Sequence, residues 1–541
     1  MENGSAPLGY LWLSRHTGIE PVQPLRRTSS VGKVRQVQVD GAHEHRTYPR
    51  AYEPEPSLAG HLTFALKHEG VALEFLARLF EASDGAFISE WIAREPTSAY
   101  ARRVGFFYEW LTGREVPAMA RPPSGNYVDA LDPSAYLVAS APPKNRRWRV
   151  NDNLPGTPAF CPTIERWDGL LQPEAIQEQL DGLYRRFGPE TIERAVAWLS
   201  VKESRASFVI EHEGKEEDRI ARFARCMAEH CGRLDDPLSD EAIRRVQDAV
   251  LGEAHTGIAR GLRASPVFVG HVSGLQNVVD YLAPPHEALE GMVDGLRAVA
   301  ARTRGQNALL RAAAIAYGFV YIHPLSDGNG RLSRFLINDT LLRDGVIAPP
   351  LILPVSVVIS ANASSRHGYM QSLDLLSRPL MRRVGESIGF GERRRYADGV
   401  ESNLVVRDWR WPMATWRYPD LTLQSRYLLD VIARSVQVEL LDEALYLQAY
   451  DRAQTALKEL VEGTSEHYAT IIRSIQQNRG VSGKLRKTFP AVFDDEVLAG
   501  RVAAAVLKAF ESGADADADA EDAVEPVLDV QPRGKRPRRR P

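Results

Sequence analysis

Along this chain, long helical patterns of apolar residues are broken by short polar stretches, and the sharpest break lies between residues 322 and 331. Upstream of it, Asn307 to Tyr321 is rich in helix formers and almost wholly apolar, which predicts a helix buried on most sides. Pro324 ends that helix, because proline disfavours helical backbone angles in the residue before it. His323 therefore falls at the C-terminal end of a rigid element. Downstream, Leu332, Phe335, Leu336 and Leu342 recur at mostly helical spacing, so a second helix is predicted to begin at or just after Gly330.

The same periodicity divides the rest of the chain. Residues 1–55 are polar and punctuated by Pro and Gly, and read as an extended or disordered arm. Residues 56–115 form an N-terminal helical unit, in which Trp91, Phe107 and Trp110 have the spacing of core residues. Residues 116–164 are a Pro-rich connector carrying the basic run Lys144 to Arg149, read as a solvated loop. Helical patterning returns over 165–234 and continues through a core segment, 235–380. An irregular connector, 381–420, leads to a C-terminal helical accessory domain, 421–511, and a tail, 512–541, whose opposed charge blocks predict disorder. Within the core segment, β-branched residues between Pro266 and Gly274 predict a short hairpin. The fold class is thus all-α with a small β element.

Composition narrows the function. The 541 residues are 44% hydrophobic and 25% charged with a formal net charge of −3, values of a globular protein whose body is not built for nucleic acid. No apolar run reaches the length of a membrane span, and no secretory signal is visible at Met1. Three cysteines, Cys161, Cys226 and Cys231, make no disulfide framework and suit a reducing cytoplasm. Cys226, His230 and Cys231 lack a fourth metal partner, and their spacing reads as ordinary helix packing.

Candidate chemistry concentrates in the polar break. Gly328, Asn329 and Gly330 can approach a ligand closely and offer backbone N–H groups at the positive end of a helix, a concavity suited to phosphate. Arg331 and Arg334 lie on neighbouring positions of the first helical turn, and two guanidinium groups imply more than one phosphate. Asp327 suits a divalent cation that bridges phosphate oxygens. Together these residues predict a metal-nucleotide site with a histidine base.

The run His323-Pro-Leu-Ser-Asp-Gly-Asn-Gly-Arg-Leu-Ser-Arg334 resembles the signature of the Fic family, His-Pro-Phe-x-Asp/Glu-Gly-Asn-Gly/Lys-Arg-x-x-Arg, departing only at Leu325. The resemblance, which spans about residues 165–380, implies a Fic-type helical core and transfer of AMP from ATP to a Ser, Thr or Tyr hydroxyl of a target protein. It implies His323 as the general base, Asp327 as the Mg²⁺ ligand, and Gly328, Asn329, Gly330, Arg331 and Arg334 as the nucleotide-binding residues. Ser207-Phe-Val-Ile-Glu211 resembles the family's inhibitory helix, Ser/Thr-x-x-x-Glu-Gly/Asn, with His212 in place of the small final residue. There Glu211 would pair with Arg334 and obstruct ATP. Val267, Phe268 and Val269 correspond to the flap that clamps the target as an added strand. Self-modification and assembly into oligomers are compatible with this reading. Removal of AMP from a modified protein, other phosphate-containing donors, and a non-catalytic nucleotide-sensing regulator are the alternatives.

Overall fold

The computed structural model describes residues 6–117, 119–211, 213, 217–252, 257–273 and 276–511. His212, the tip of the expected flap hairpin at Gly274, and the tail 512–541 lie outside the described residues. Helices dominate and the strands are short. The chain divides into two compact units, one of residues 1–181 with 196–439 and the other of 182–195 with 440–541.

In the larger unit, residues 6–55 are not an extended arm. Gly9–Thr17 is helical, and Pro7–Leu8, Arg27–Val31, His43–Tyr48 and Gln36–Asp40 form a four-stranded sheet in that spatial order. The polar residues that suggested an arm are spent inside the sheet: Thr28 and Ser30 hydrogen-bond His45 across the parallel pair of strands at 2.9 Å each. The buried Glu69 carboxylate anchors the helix start by accepting the Tyr10 N–H at 2.7 Å.

The helices Leu58–His68, Leu73–Glu81, Ala86–Arg94 and Ala99–Thr112 follow, and Trp91 and Phe107 lie in their core. The Pro-rich segment wraps this bundle with three short strands, at Val128–Asp129, Lys144–Asn145 and Val150–Asn151. Trp148 is fully buried, and its indole N–H donates to Glu109 at 2.7 Å. It is a packing residue rather than a surface for stacking bases.

The functional region is organised around the helix Ala308–Ile322, every residue of which is buried except Val320. Asn307 caps its start, its side-chain oxygen accepting the Leu309 and Leu310 N–H groups. The helices Leu289–Arg302, Asn329–Arg343 and Thr422–Arg434 pack around it. The last of these corrects the expected boundary at 421: residues 422–434 belong to this core, where Gln424 donates to the buried Tyr321 hydroxyl at 3.2 Å.

The hairpin expected as a flap is an antiparallel pair, Phe268–Ser273 with Gln276–Leu282. A second antiparallel pair, Ile388–Arg395 with Glu401–Val406, replaces the irregular connector expected over 381–420. Asp398-Gly399 carries the hairpin signal there, with Gly399 at φ 83°. In the smaller unit, Leu441–Leu460, Ser465–Asn478 and Glu496–Glu511 enclose a core that includes Leu457, Ile472 and Val502.

Candidate active site

His323 closes the central helix in the left-handed conformation, at φ 49° and ψ 55°. A non-glycine residue held there marks a position over-determined by its surroundings. Its Nδ1 lies 3.1 Å from the Val320 carbonyl, an acceptor only, so Nδ1 carries the proton and Nε2 presents a lone pair. Burial, and then the Arg263 guanidinium, lower the ring's pKa to about 4. At neutral pH His323 is thus an uncharged base with a fixed tautomer.

Arg263 is buried and holds three parts of the site together: it donates to the carbonyls of His323 at 2.9 Å, Ser265 at 2.6 Å and Pro284 at 2.7 Å. It ties the histidine to both roots of the flap, a role no short motif announces. The second flap strand also brings Tyr281 to the histidine, with ring centroids 6.4 Å apart.

The loop after His323 is braced by Asn329. Its side chain accepts the Leu325 N–H and donates to the Leu325 carbonyl, both at 2.9 Å. The Asn329 side chain therefore shapes the loop, and only its backbone N–H can face a ligand. Leu325 is fully buried, an anchor that leucine fills as well as phenylalanine. Gly328 caps the next helix at φ 90°, a left-handed geometry that favours glycine. The N–H groups of Asn329, Gly330 and Arg331 lie in the first turn, without intrahelical acceptors.

Both motif arginines are 2% exposed. Arg334 donates from Nε to the Ser207 hydroxyl at 2.9 Å, and from Nη2 to the Ser207 carbonyl at 3.1 Å and to Glu211 Oε1 at 2.8 Å. A Cβ built on Gly330 would stand 2.2 Å from Glu211 Oε1. The carboxylate therefore lies against the helix N-terminus, and a side chain at position 330 would have to displace it. Burial alone would raise the Glu211 pKa, but Arg334 outweighs it and holds the carboxyl below its usual range. Arg331 donates to Glu213 at 2.6 Å and to Asp327 at 3.2 Å.

Glu213 was not legible as a site residue. Just beyond Glu211, it also accepts from Arg219 at 2.8 Å. Phe208, fully buried, lies between those two guanidinium groups, 4.8 Å from that of Arg331 and 5.2 Å from that of Arg219. Glu203, one turn earlier than Ser207, accepts the Ser356 N–H and hydroxyl and the Val357 N–H. The helix Pro189–Ile210 and the turn after it therefore reach the site through three side chains, Ser207, Glu211 and Glu213, with Glu203 fastening the helix beside it.

His323, Asp327, Gly328 to Arg331, Arg334, Ser207 and Glu211 are thus brought together. Val267, Phe268 and Val269 stand apart on the flap, where Val269 is exposed and Val267 accepts the Ala283 N–H at 3.2 Å. Comparison with known proteins bears on this region directly. The profile of the Fic/DOC family matches residues 237–341, which contain His323, the glycine turn and both arginines.

Residues 237–341 form a Fic/DOC domain. The chain is 32% identical over 171 residues to the protein adenylyltransferase fic-1 of Caenorhabditis briggsae, covering 31% of this chain and 30% of that protein. It is 30% identical over 141 residues to the protein adenylyltransferase Fic of Nematostella vectensis, covering 26% and 29%. The chain thus spans about a third of the length of these relatives. Among solved structures, a Fic family protein from Desulfovibrio desulfuricans G20 aligns over 60% of this chain and 85% of that one, with TM-score 0.33 and 16% identity. Among the described residues no helix is long and apolar enough to cross a membrane.

Proposed function

We propose that the chain is a protein adenylyltransferase, moving AMP from ATP to a Ser, Thr or Tyr hydroxyl of a target protein. One observation carries the reading: an uncharged, tautomer-fixed histidine sits beside a glycine turn whose N–H groups are bracketed by two buried arginines. Two guanidinium groups away from water are costly unless anions balance them; with the Ser207 helix docked, Glu211, Glu213 and Asp327 do so, while among the described residues Arg331 Nε and Arg334 Nη1 still have no hydrogen-bond partner, and once Glu211 withdraws another anion must take its place. A polyphosphate supplies that charge, and the relatives named adenylyltransferases support ATP as its source.

In the proposed reaction, His323 Nε2 takes the proton of the target hydroxyl as its oxygen attacks the α-phosphorus. A new oxygen–phosphorus bond forms and pyrophosphate departs. The N–H groups of Asn329, Gly330 and Arg331 stabilise charge on the phosphoryl oxygens, and the two guanidinium groups neutralise the outer phosphates. Asp327, with a side chain 36% exposed at the mouth, fits a hard cation held by one carboxylate plus substrate phosphates. Mg²⁺ bound there would neutralise phosphate charge.

Glu211 supports autoinhibition as part of the proposal. Its carboxylate takes donors that the outer phosphates need, and brings negative charge where they would lie. The same position suits the reverse reaction, removal of AMP, with Glu211 orienting water above the glycine turn. A regulator that only senses nucleotide would need the anion site but not the freed Nε2 of His323.

Incubating the chain with α-labelled ATP, Mg²⁺ and a lysate, then mapping the label by mass spectrometry, tests the reading. AMP on a protein hydroxyl is expected. Label released from a pre-adenylylated protein, with none transferred from ATP, would establish the reverse reaction instead.

A further inference from the structure

The second hairpin abuts the flap. Phe390 on its first strand lies edge-on to Phe268, with ring centroids 5.6 Å apart. Asp398 in its turn fastens it to the segment leading into the flap: the carboxylate accepts the Ala264 N–H at 2.8 Å and the Ser265 hydroxyl at 2.7 Å, and the carbonyl accepts the Ala259 N–H at 2.8 Å. The two hairpins therefore present neighbouring surfaces, with exposed apolar ground at Val269, Phe390 and Val405.

On this hairpin stand three consecutive arginines, Arg393, Arg394 and Arg395, all exposed. Among the described residues none has a carboxylate within 4.0 Å, although Glu401 is opposite Arg395 in register. Arg394 and Arg395 pair in regular register with Ser402 and Glu401, just past a bulge that takes in Arg393; neighbouring strand residues point to opposite faces, so whichever face a peptide takes, at least one of these two guanidinium groups is there. The cluster occurs in a chain of net charge −3. Three positive charges on consecutive exposed residues make a local positive field, which an acidic segment lying along the strand would balance.

Resting on the transfer reading above, we propose that Arg393, Arg394 and Arg395 dock an acidic segment of the target protein and so select hydroxyls flanked by Asp and Glu. The flap holds its target through backbone groups, which carry little sequence information. The adjoining arginines add the missing selectivity as charge complementarity, which favours the right partner and repels basic ones.

The test uses the full chain and fluorescent peptides bearing one Ser, Thr or Tyr with four flanking residues that are acidic, neutral or basic. Binding is read by anisotropy and AMP transfer by labelled ATP. Acidic peptides are expected to bind about tenfold more tightly than basic ones, the combined effect of attraction to one or two exposed guanidinium groups and repulsion of the basic flank, with the difference shrinking as salt rises. In the triple variant Arg393→Glu, Arg394→Glu, Arg395→Glu the order should invert, with ATP affinity unchanged. An unchanged order, equal binding of all peptides by wild type, or preference for duplex DNA over the acidic peptide overturns the proposal. Charge-dependent binding with no transfer would leave the docking site standing and defeat the transfer reading; transfer without flank preference would do the opposite. If the triple variant misfolds by circular dichroism, the single variant Arg394→Gln decides, with an expected loss of twofold or more for the acidic peptide alone.

Discussion

Replacing Glu211 with Gly tests the proposed control directly, and its size can be worked from the geometry. In the docked state Glu211 Oε1 is 2.8 Å from Arg334, whose side chain is 2% exposed while that of Glu211 is 34% exposed. Removing one partner of a fully buried pair costs about 3–5 kcal/mol, and an exposed pair contributes only about 0–1 kcal/mol. A pair with one partner buried and the other one-third exposed falls between, at roughly 1.5–3 kcal/mol. The Ser207, Glu203 and Glu213 anchors remain, so the helix loosens rather than unfolds. The loss also removes the negative charge lying where the outer phosphates bind. Transfer should therefore rise at least tenfold, the equivalent of about 1.4 kcal/mol, and up to about a hundredfold. The assay is the initial rate of AMP incorporation, including self-modification, at saturating Mg²⁺ and ATP, beside wild type and with a melting curve for each. Equal rates would make the Ser207 segment structural. A drop in AMP transfer, with loss of AMP removal from a modified protein, would show Glu211 acting as a water-orienting group and refute the inhibitory reasoning.

His323→Ala should leave the melting temperature and ATP binding close to wild type and abolish transfer, because the phosphate contacts come from other residues; transfer above a few per cent would place the base elsewhere. Since desolvation lowers this ring's pKa to about 4, its base form persists above that value, so kcat/KM should stay flat down to about pH 5 and fall only as pH approaches 4, whereas a fall centred near 6.5 would contradict the partly buried, uncharged state. Asp327→Ala should remove activity together with its Mg²⁺ dependence, and metal-dependent turnover in that variant would move the cation ligand elsewhere. Val269→Pro removes a backbone donor from the exposed flap strand and should weaken target modification with ATP affinity unchanged, while equal modification would reduce the hairpin to a cover. Glu213→Ala should raise activity by a smaller factor than Glu211→Gly, because Arg331 keeps its bond to Asp327 at 3.2 Å; no change in rate would show the Glu213 contact to be purely structural.

The helices and the motif were legible because they are local. The apolar run of Ala308–Ile322, its proline stop and the glycine turn occupy consecutive positions whose periodicity and backbone needs can be read directly. What escaped was long-range or compensated. Residues 6–55 looked like an arm because their polar side chains outnumber their apolar ones, yet Thr28, Ser30 and His45 satisfy one another within a sheet. Arg263 is an isolated arginine until the fold sets three carbonyls around it. Glu213 sits in a glutamate-rich stretch, and nothing in its neighbours separates it from Glu217 until Arg219 and Arg331 converge on it. Thr422–Arg434 was assigned to the accessory domain because amphipathic periodicity names a buried face but not the helix that buries it.

Those long-range contacts also bear on how the proposed inhibition would be released. Of the four polar anchors of the Pro189–Ile210 helix and its turn, Ser207 and Glu211 bond only to motif arginines, Glu213 divides its bonds between Arg331 and Arg219, and Glu203 grips structure wholly outside the motif, at Ser356 and Val357. ATP and the docked segment then draw on the same donors, and by linkage each weakens the other by an equal factor. Release needs no separate effector site: any partner that stabilises the undocked helix raises ATP affinity, and ATP at sufficient concentration favours undocking. Glu203, with the Glu213–Arg219 bond, sets the balance, since these bonds survive when the phosphates take the motif arginines and so keep the helix close enough to return. Weakening that anchor alone, by Glu203→Gln, should therefore lower the ATP concentration for half-maximal transfer without altering the rate at saturation. A change confined to the saturated rate would mean that docking and ATP do not compete.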